Sequence, residues 1–245
     1  MSYPPPPAEV DDSEIDLSAP DGPMGAFVAR PVSDDPTPGV LVLIEAFGLV
    51  GSIRDVACRL AGAGYLAIVP DLFYREAPHN TASYDDIPGG MALQSALVAR
   101  GAAFLGDVAV ALDWLDRSPA VAPGPHRVVG FCMGGALAFA TAAGLPGRVG
   151  AAACFYGAGI SNTVARAGGL DARLMFAYGE KDPYISADEV SAVRSGLEAK
   201  GIPFDLEVYG GADHGFMNDA RPESFHPESA GRAWDRLLSF FGSPG

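Results

Sequence analysis

Hydrophobic residues along the chain fall into short, nearly unbroken runs separated by segments of helical periodicity. Residues 40–44 and 65–70 are continuous apolar stretches, the pattern of strands covered on both faces. Residues 126–131, 149–156, 173–178 and 204–209 read as further strands. Between these runs, residues 54–63, 91–115, 133–143, 187–200 and 229–241 read as helices, the second with a break at Gly101. Residues 25–30 alternate enough for an edge strand. Strands and helices alternate with short links, which predicts a doubly wound, mostly parallel sheet with helices on both faces.

The chain has 245 residues, 49% of them hydrophobic and 19% charged, so a wholly disordered or collagen-like chain is excluded. No linker or internal repeat divides it. We expect an acidic, Pro-rich, mobile leader over residues 1–20 and one α/β domain over residues 21–245. The formal net charge is −14 and Lys occurs only at positions 181 and 200. Nucleic acid and anionic membrane surfaces are therefore poor partners, because both need a basic footprint. Residues 128–146 carry no charge; a buried strand, a Gly turn and a buried helix explain this stretch better than a spanning helix. The N-terminus lacks the basic-then-apolar order of a secretory signal, and three cysteines are too few for a disulfide scaffold. A reduced, cytoplasmic compartment is the expectation.

The most informative segment is Gly130-Phe-Cys-Met-Gly-Gly135, between a predicted strand and a small-residue helix. Such a tight strand-to-helix turn strains its central residue and tolerates only small neighbours. It lifts Cys132 out at the carboxyl end of the sheet, where open α/β sheets bind ligands. The helix N-terminus favours a thiolate and a nearby oxyanion. A buried core thiol is the competing reading for Cys132, and the preferred one for Cys58 and Cys154.

A nucleophile elbow predicts an acid after a later strand and a histidine after the last one. Asp182 and His214 stand there, with His214 as base and Asp182 fixing its tautomer. Glu180 and Asp213 are the rival acids. His79, His126 and His226 read as surface residues. Glu45 ends the strand of residues 40–44, where it is either a functional carboxylate or a strand-end acid facing water. The backbone N–H groups of Met133 and Ala46 would form the oxyanion hole. CxxC, HExxH and Walker-type motifs are absent. A GxGxxA match at Gly62 closes a helix instead of opening one, the reverse of a dinucleotide site. No metal or organic cofactor is implied.

Taken together, Glu45-Ala-Phe-Gly48, Val69-Pro-Asp-Leu-Phe73, Gly130-Phe-Cys-Met-Gly-Gly135, Gly179-Glu-Lys-Asp182 and Asp213-His-Gly-Phe216 make the chain resemble the dienelactone hydrolases (carboxymethylenebutenolidases), within the α/β-hydrolase fold. The likeness runs over most of residues 20–242. It implies a Cys132–His214–Asp182 triad, with Glu45 contacting the resting thiol and helping to activate it. It also implies pocket-lining roles for Phe47, Tyr156 and Tyr184, and a matching loop for Arg75. One departure stands out. Members acting on dienelactone hold its carboxylate with two arginines, but Asn218 occupies one position and Gly89-Gly-Met-Ala spans the other. Arg221 is the nearest substitute in sequence.

The expected reaction is hydrolysis of a small-molecule ester or enol-lactone through a thioester. A small-ester or acyl-thioester hydrolase uses the same residues and differs in its pocket. A non-catalytic ligand-binding member of the fold is the reading from another class. The sequence signals no partner protein and leaves the oligomeric state and a lid role for residues 71–90 open.

Overall fold

The computed structural model describes residues 3–7, 9–76, 81–165 and 167–242. They form two compact units, residues 5–126 and residues 127–245 together with 1–4. The boundary falls inside a strand, so no change of composition marks it.

In the first unit, β1 (Asp11–Ala19) and β2 (Gly22–Arg30) form an antiparallel hairpin with register Asp11↔Arg30 to Ala19↔Gly22. Next come β3 (Gly39–Leu43), α1 (Gly51–Gly62), β4 (Leu66–Pro70), α2 (Ile87–Ala99) and α3 (Phe104–Arg117). The strand order is β1-β2-β4-β3, with β4 antiparallel to β2 and parallel to β3. Every residue of β3 and β4 is buried, as their unbroken apolar runs require. Asp86 starts α2 by accepting the Gly89 N–H at 3.0 Å. Gly101 adopts φ +57° between α2 and α3, and the two helices meet at 93°.

Two expectations are corrected here. Residues 11–19, assigned to a mobile leader, form a nine-residue strand. Four acids hide the alternation in which Leu17 is buried and Ile15 and Ala19 half-buried. As a result β2, expected at the sheet edge, lies between β1 and β4.

The second unit carries β5 (His126–Phe131), α4 (Met133–Gly144), β6 (Val149–Phe155), the single turn α5 (Ser161–Val164), β7 (Arg173–Gly179), α6 (Ala187–Ala199), β8 (Phe204–Tyr209) and α7 (Pro227–Gly242). Its strand order is β5-β6-β7-β8, with β6, β7 and β8 parallel. Ser186 caps α6 and His226 caps α7, each accepting a backbone N–H three residues on. The uncharged stretch 128–146 resolves into β5, a turn and α4. Among the described residues no single helix is long and apolar enough to cross a membrane.

Candidate active site

Cys132 joins β5 to α4 with φ +56° and ψ −123°. An L-residue meets its own backbone there, at a cost of order 1–3 kcal/mol. Two hydrogen bonds hold the bend: Cys132 N–H donates to Phe155 C=O at 3.1 Å, and Gly135 N–H donates to Cys132 C=O at 2.9 Å. Two glycines make room for it. A Cβ on Gly130 would sit 1.9 Å from the Gly134 carbonyl oxygen, and one on Gly135 would sit 2.4 Å from that of Phe155. The elbow thus depends on glycine at 130 and 135, and it leaves the thiol half-buried. The Met133 amide opens α4 and has no partner within the helix.

The loops after β7 and β8 bring two further side chains together. They are fastened to each other by Glu180 N–H to Tyr209 C=O at 3.0 Å and Lys181 N–H to Ala212 C=O at 2.8 Å. The Asp182 side chain is fully buried. Its Oδ1 accepts the Tyr184 N–H at 2.9 Å and its Oδ2 lies 2.8 Å from His214 Nδ1. A carboxylate only accepts, so Nδ1 carries the proton. His214 also hydrogen bonds Cys132. Burial pulls the imidazole pKa down, but the bonds to Asp182 and then Cys132, with their charges, outweigh it and push the pKa from 6.5 to about 10. Tyr156 and Tyr184 stand edge-on to the ring at 5.1 and 5.0 Å. Tyr156 is buried and Tyr184 is 73% exposed.

The rival acids are engaged elsewhere. Glu180 accepts the Gly211 N–H at 2.8 Å, and Asp213 accepts the backbone N–H of His214 at 2.6 Å. Among the other histidines, His126 departs from expectation. It is 3% exposed, bonded to Asp116 at 2.7 Å and packed against Gly39. His226 is half-buried at its cap, and His79 lies outside the described residues. Cys154 is buried in β6, and burial pushes its thiol up. Cys58 is half-buried in α1 and is likewise pushed up by burial and by Asp12 and Asp55.

In the first unit, Glu45 is 5% exposed, which overturns the water-facing alternative. Its carbonyl accepts the Gly48 N–H at 3.1 Å, closing a turn that holds the buried Ala46 and Phe47. Its carboxylate accepts the Tyr84 hydroxyl at 2.8 Å, and Ser52 Oγ lies 2.5 Å from the same hydroxyl. Neither Tyr84 nor Ser52 emerged from sequence reasoning. Tyr84 stands in a polar stretch and Ser52 between Gly51 and Ile53, and only the fold pairs residues 32 and 39 positions apart.

Two arginines acquire partners. Arg75 grips Asp107 with both terminal nitrogens and Asp21 with Nε, so its role is internal. Arg221 Nε donates to Glu223 at 2.8 Å. Asn218 is buried, and its side-chain oxygen accepts the Ala220 N–H at 3.1 Å. Among the described residues no group of three or more His, Cys, Asp or Glu side chains is arranged to hold a metal ion.

The elbow, the acid and histidine loops and the strand order define an α/β hydrolase. The chain superposes with TM-score 0.85 on a solved Klebsiella pneumoniae structure called a "putative dienelactone hydrolase", at 33% identity over 96% of this chain and 100% of that one. A metagenomic dienelactone hydrolase-like promiscuous phosphotriesterase, with TM-score 0.82 and 21% identity over 95% and 97% of the two chains, shares the fold. A Salmonella typhimurium protein named "putative carboxymethylenebutenolidase" is 36% identical over 91% of this chain and 83% of that protein. The sequence pattern of the dienelactone hydrolase family matches residues 24–244, and the chain belongs to that family. It is a dienelactone hydrolase-like hydrolase.

Proposed function

We propose that the protein hydrolyses a carboxylic ester or lactone through a Cys132 thioester. One observation carries the reading: a buried carboxylate, an imidazole and a thiol at a strained elbow form one hydrogen-bonded series, Asp182–His214–Cys132. The raised His214 pKa, sustained by its bonds to Asp182 and the sulfur, suits the imidazole to take the thiol proton as attack begins.

The thiolate attacks the carbonyl carbon and forms the C–S bond, while the C=O pair moves onto oxygen. The Met133 N–H stabilises that oxyanion, and the family resemblance gives Ala46 the second donor; one such donor is worth about 10²–10³ in rate. On collapse the C–O bond breaks, and His214 passes its proton to the leaving oxygen. Water then attacks the thioester with His214 as base, and the acid and thiolate are released. In a lactone the leaving oxygen stays tethered, so ring closure competes with deacylation. An enolate leaving group avoids this by collapsing to a ketone. The family resemblance gives Glu45 the role of serving the thiol, and gives Phe47, Tyr156 and Tyr184 pocket-lining roles.

Substrate charge departs from the family pattern. Asn218 replaces one carboxylate-holding arginine, Arg75 pairs with the buried Asp107 and Arg221 with the exposed Glu223, and the net charge is −14. A neutral ester, thioester or lactone fits this better than an anionic dienelactone. The test ranks kcat/KM over neutral aryl esters, acyl thioesters and a dienelactone, with acyl-Cys132 trapped and identified by mass spectrometry. Turnover surviving in Cys132→Ala, or after complete iodoacetamide alkylation of Cys132, contradicts the mechanism. Ligand binding without turnover across the panel favours the non-catalytic alternative.

A further inference from the structure

A buried carboxylate is costly unless hydrogen-bond donors surround it. Glu45, 5% exposed, meets two hydroxyls in series. Its Oε2 lies 2.8 Å from Tyr84 Oη, which lies 2.5 Å from Ser52 Oγ. An ionised carboxylate only accepts, so Tyr84 gives it its proton, and the phenolic oxygen then accepts the proton of Ser52. Both O–H groups point the same way, and each polarises the next.

The backbone around Tyr84 fixes that direction. Its ring stands edge-on to Phe47 at 4.8 Å. Ala82 N–H donates to Phe47 C=O at 3.0 Å. Gly90 accommodates the Phe47 ring, which a Cβ there would meet at 2.8 Å. Both flanks of Tyr84 are thus docked on the turn that carries Glu45. From α1, Ser52 faces the pair, while Arg54 is bonded to Glu14 and the Leu49 carbonyl.

We propose that Tyr84 is the positioning residue for Glu45, with Ser52 as the second link of a hydroxyl relay that keeps this carboxylate ionised and aimed. The proposal rests on the reading that Glu45 serves the Cys132 thiol. In this arrangement Tyr84 and Ser52 act through Glu45.

The test reads Glu45 directly. Carboxyl infrared absorption, wild type minus Glu45→Gln, follows its protonation without turnover. Tyr84→Phe keeps the ring and removes one proton, so the Glu45 midpoint rises by about one pH unit or more. Ser52→Ala, which leaves the first link intact, raises it less. In turnover, the acid limb of kcat/KM moves up with the midpoint in Tyr84→Phe, while KM stays within about twofold. Placed in a Glu45→Gln background, Tyr84→Phe adds no further loss. An unmoved midpoint in Tyr84→Phe, or additive losses in the double variant, overturns the proposal. A wild type inert toward every ester sinks the proposed function instead, and the midpoint comparison still decides the role of Tyr84.

Discussion

Asp182 faces His214 at 2.8 Å from a position with no side-chain exposure. Its other oxygen holds the Tyr184 N–H, so the carboxylate is fixed from both sides. Asp182→Asn keeps the shape and removes the charge. Its amide can donate to Nδ1 and favour the wrong tautomer, so kcat/KM falls about 10³–10⁴-fold. The His214 pKa drops with it. Kinetics with a good neutral ester and histidine NMR check both; near-wild-type turnover would remove Asp182 from the mechanism.

The raised His214 pKa also links folding to pH. Its folded value, about 10, lies above the ordinary 6.5, so the folded state binds the proton more tightly. The contribution is therefore complete below pH 6.5 and is lost as pH rises through about 10. Wild type minus His214→Gln, compared by urea denaturation across that window, gives a stability difference that shrinks toward the alkaline end. A difference independent of pH contradicts the linkage.

At the elbow, Gly130→Ala sets a methyl 1.9 Å from a carbonyl oxygen on the same turn. Backbone must move, so the loss is about 3 kcal/mol or more. Gly147→Ala is the control. That glycine has φ +79° and open space around its Cβ position, so only backbone strain opposes the change, about 1 kcal/mol. Denaturant midpoints rank the two, and equal losses would mean that crowding is not what glycine relieves at 130.

Arg75→Met probes a different principle. Asp107 is fully buried, and removing the cation leaves its charge uncompensated beside the Tyr74 hydroxyl that donates to it at 3.1 Å, at a cost of about 3–5 kcal/mol. Folded enzyme keeps its KM, because the guanidinium is bonded inward. A raised KM toward anionic substrates alone would return Arg75 to the binding site.

Much of this fold lies open to inspection of the sequence. The continuous apolar runs of β3 and β4 mark strands because burial on both faces leaves no polar position. The elbow is visible because its geometry admits few residues. Asp182 and His214 follow from chain order, whereas excluding Glu180 and Asp213 required their backbone partners. The β1 strand escaped because alternation with acids on its outer side resembles a solvated tail. His126 escaped because a pairing with Asp116 and a glycine opposite make a buried imidazole tolerable. Tyr84 and Ser52 carry no spacing signal at all, since their meeting at Glu45 is a product of tertiary structure.

The acids of β1 have a consequence for concentrated solutions. This strand pairs with β2 on one side and closes the row of strands on the other, the arrangement that invites another chain to add on. Asp12, Glu14 and Asp16 lie exposed along it. Two such margins meeting would oppose like charge along their length. The protein therefore guards itself against edge-to-edge self-association, and that protection weakens as added salt screens the repulsion.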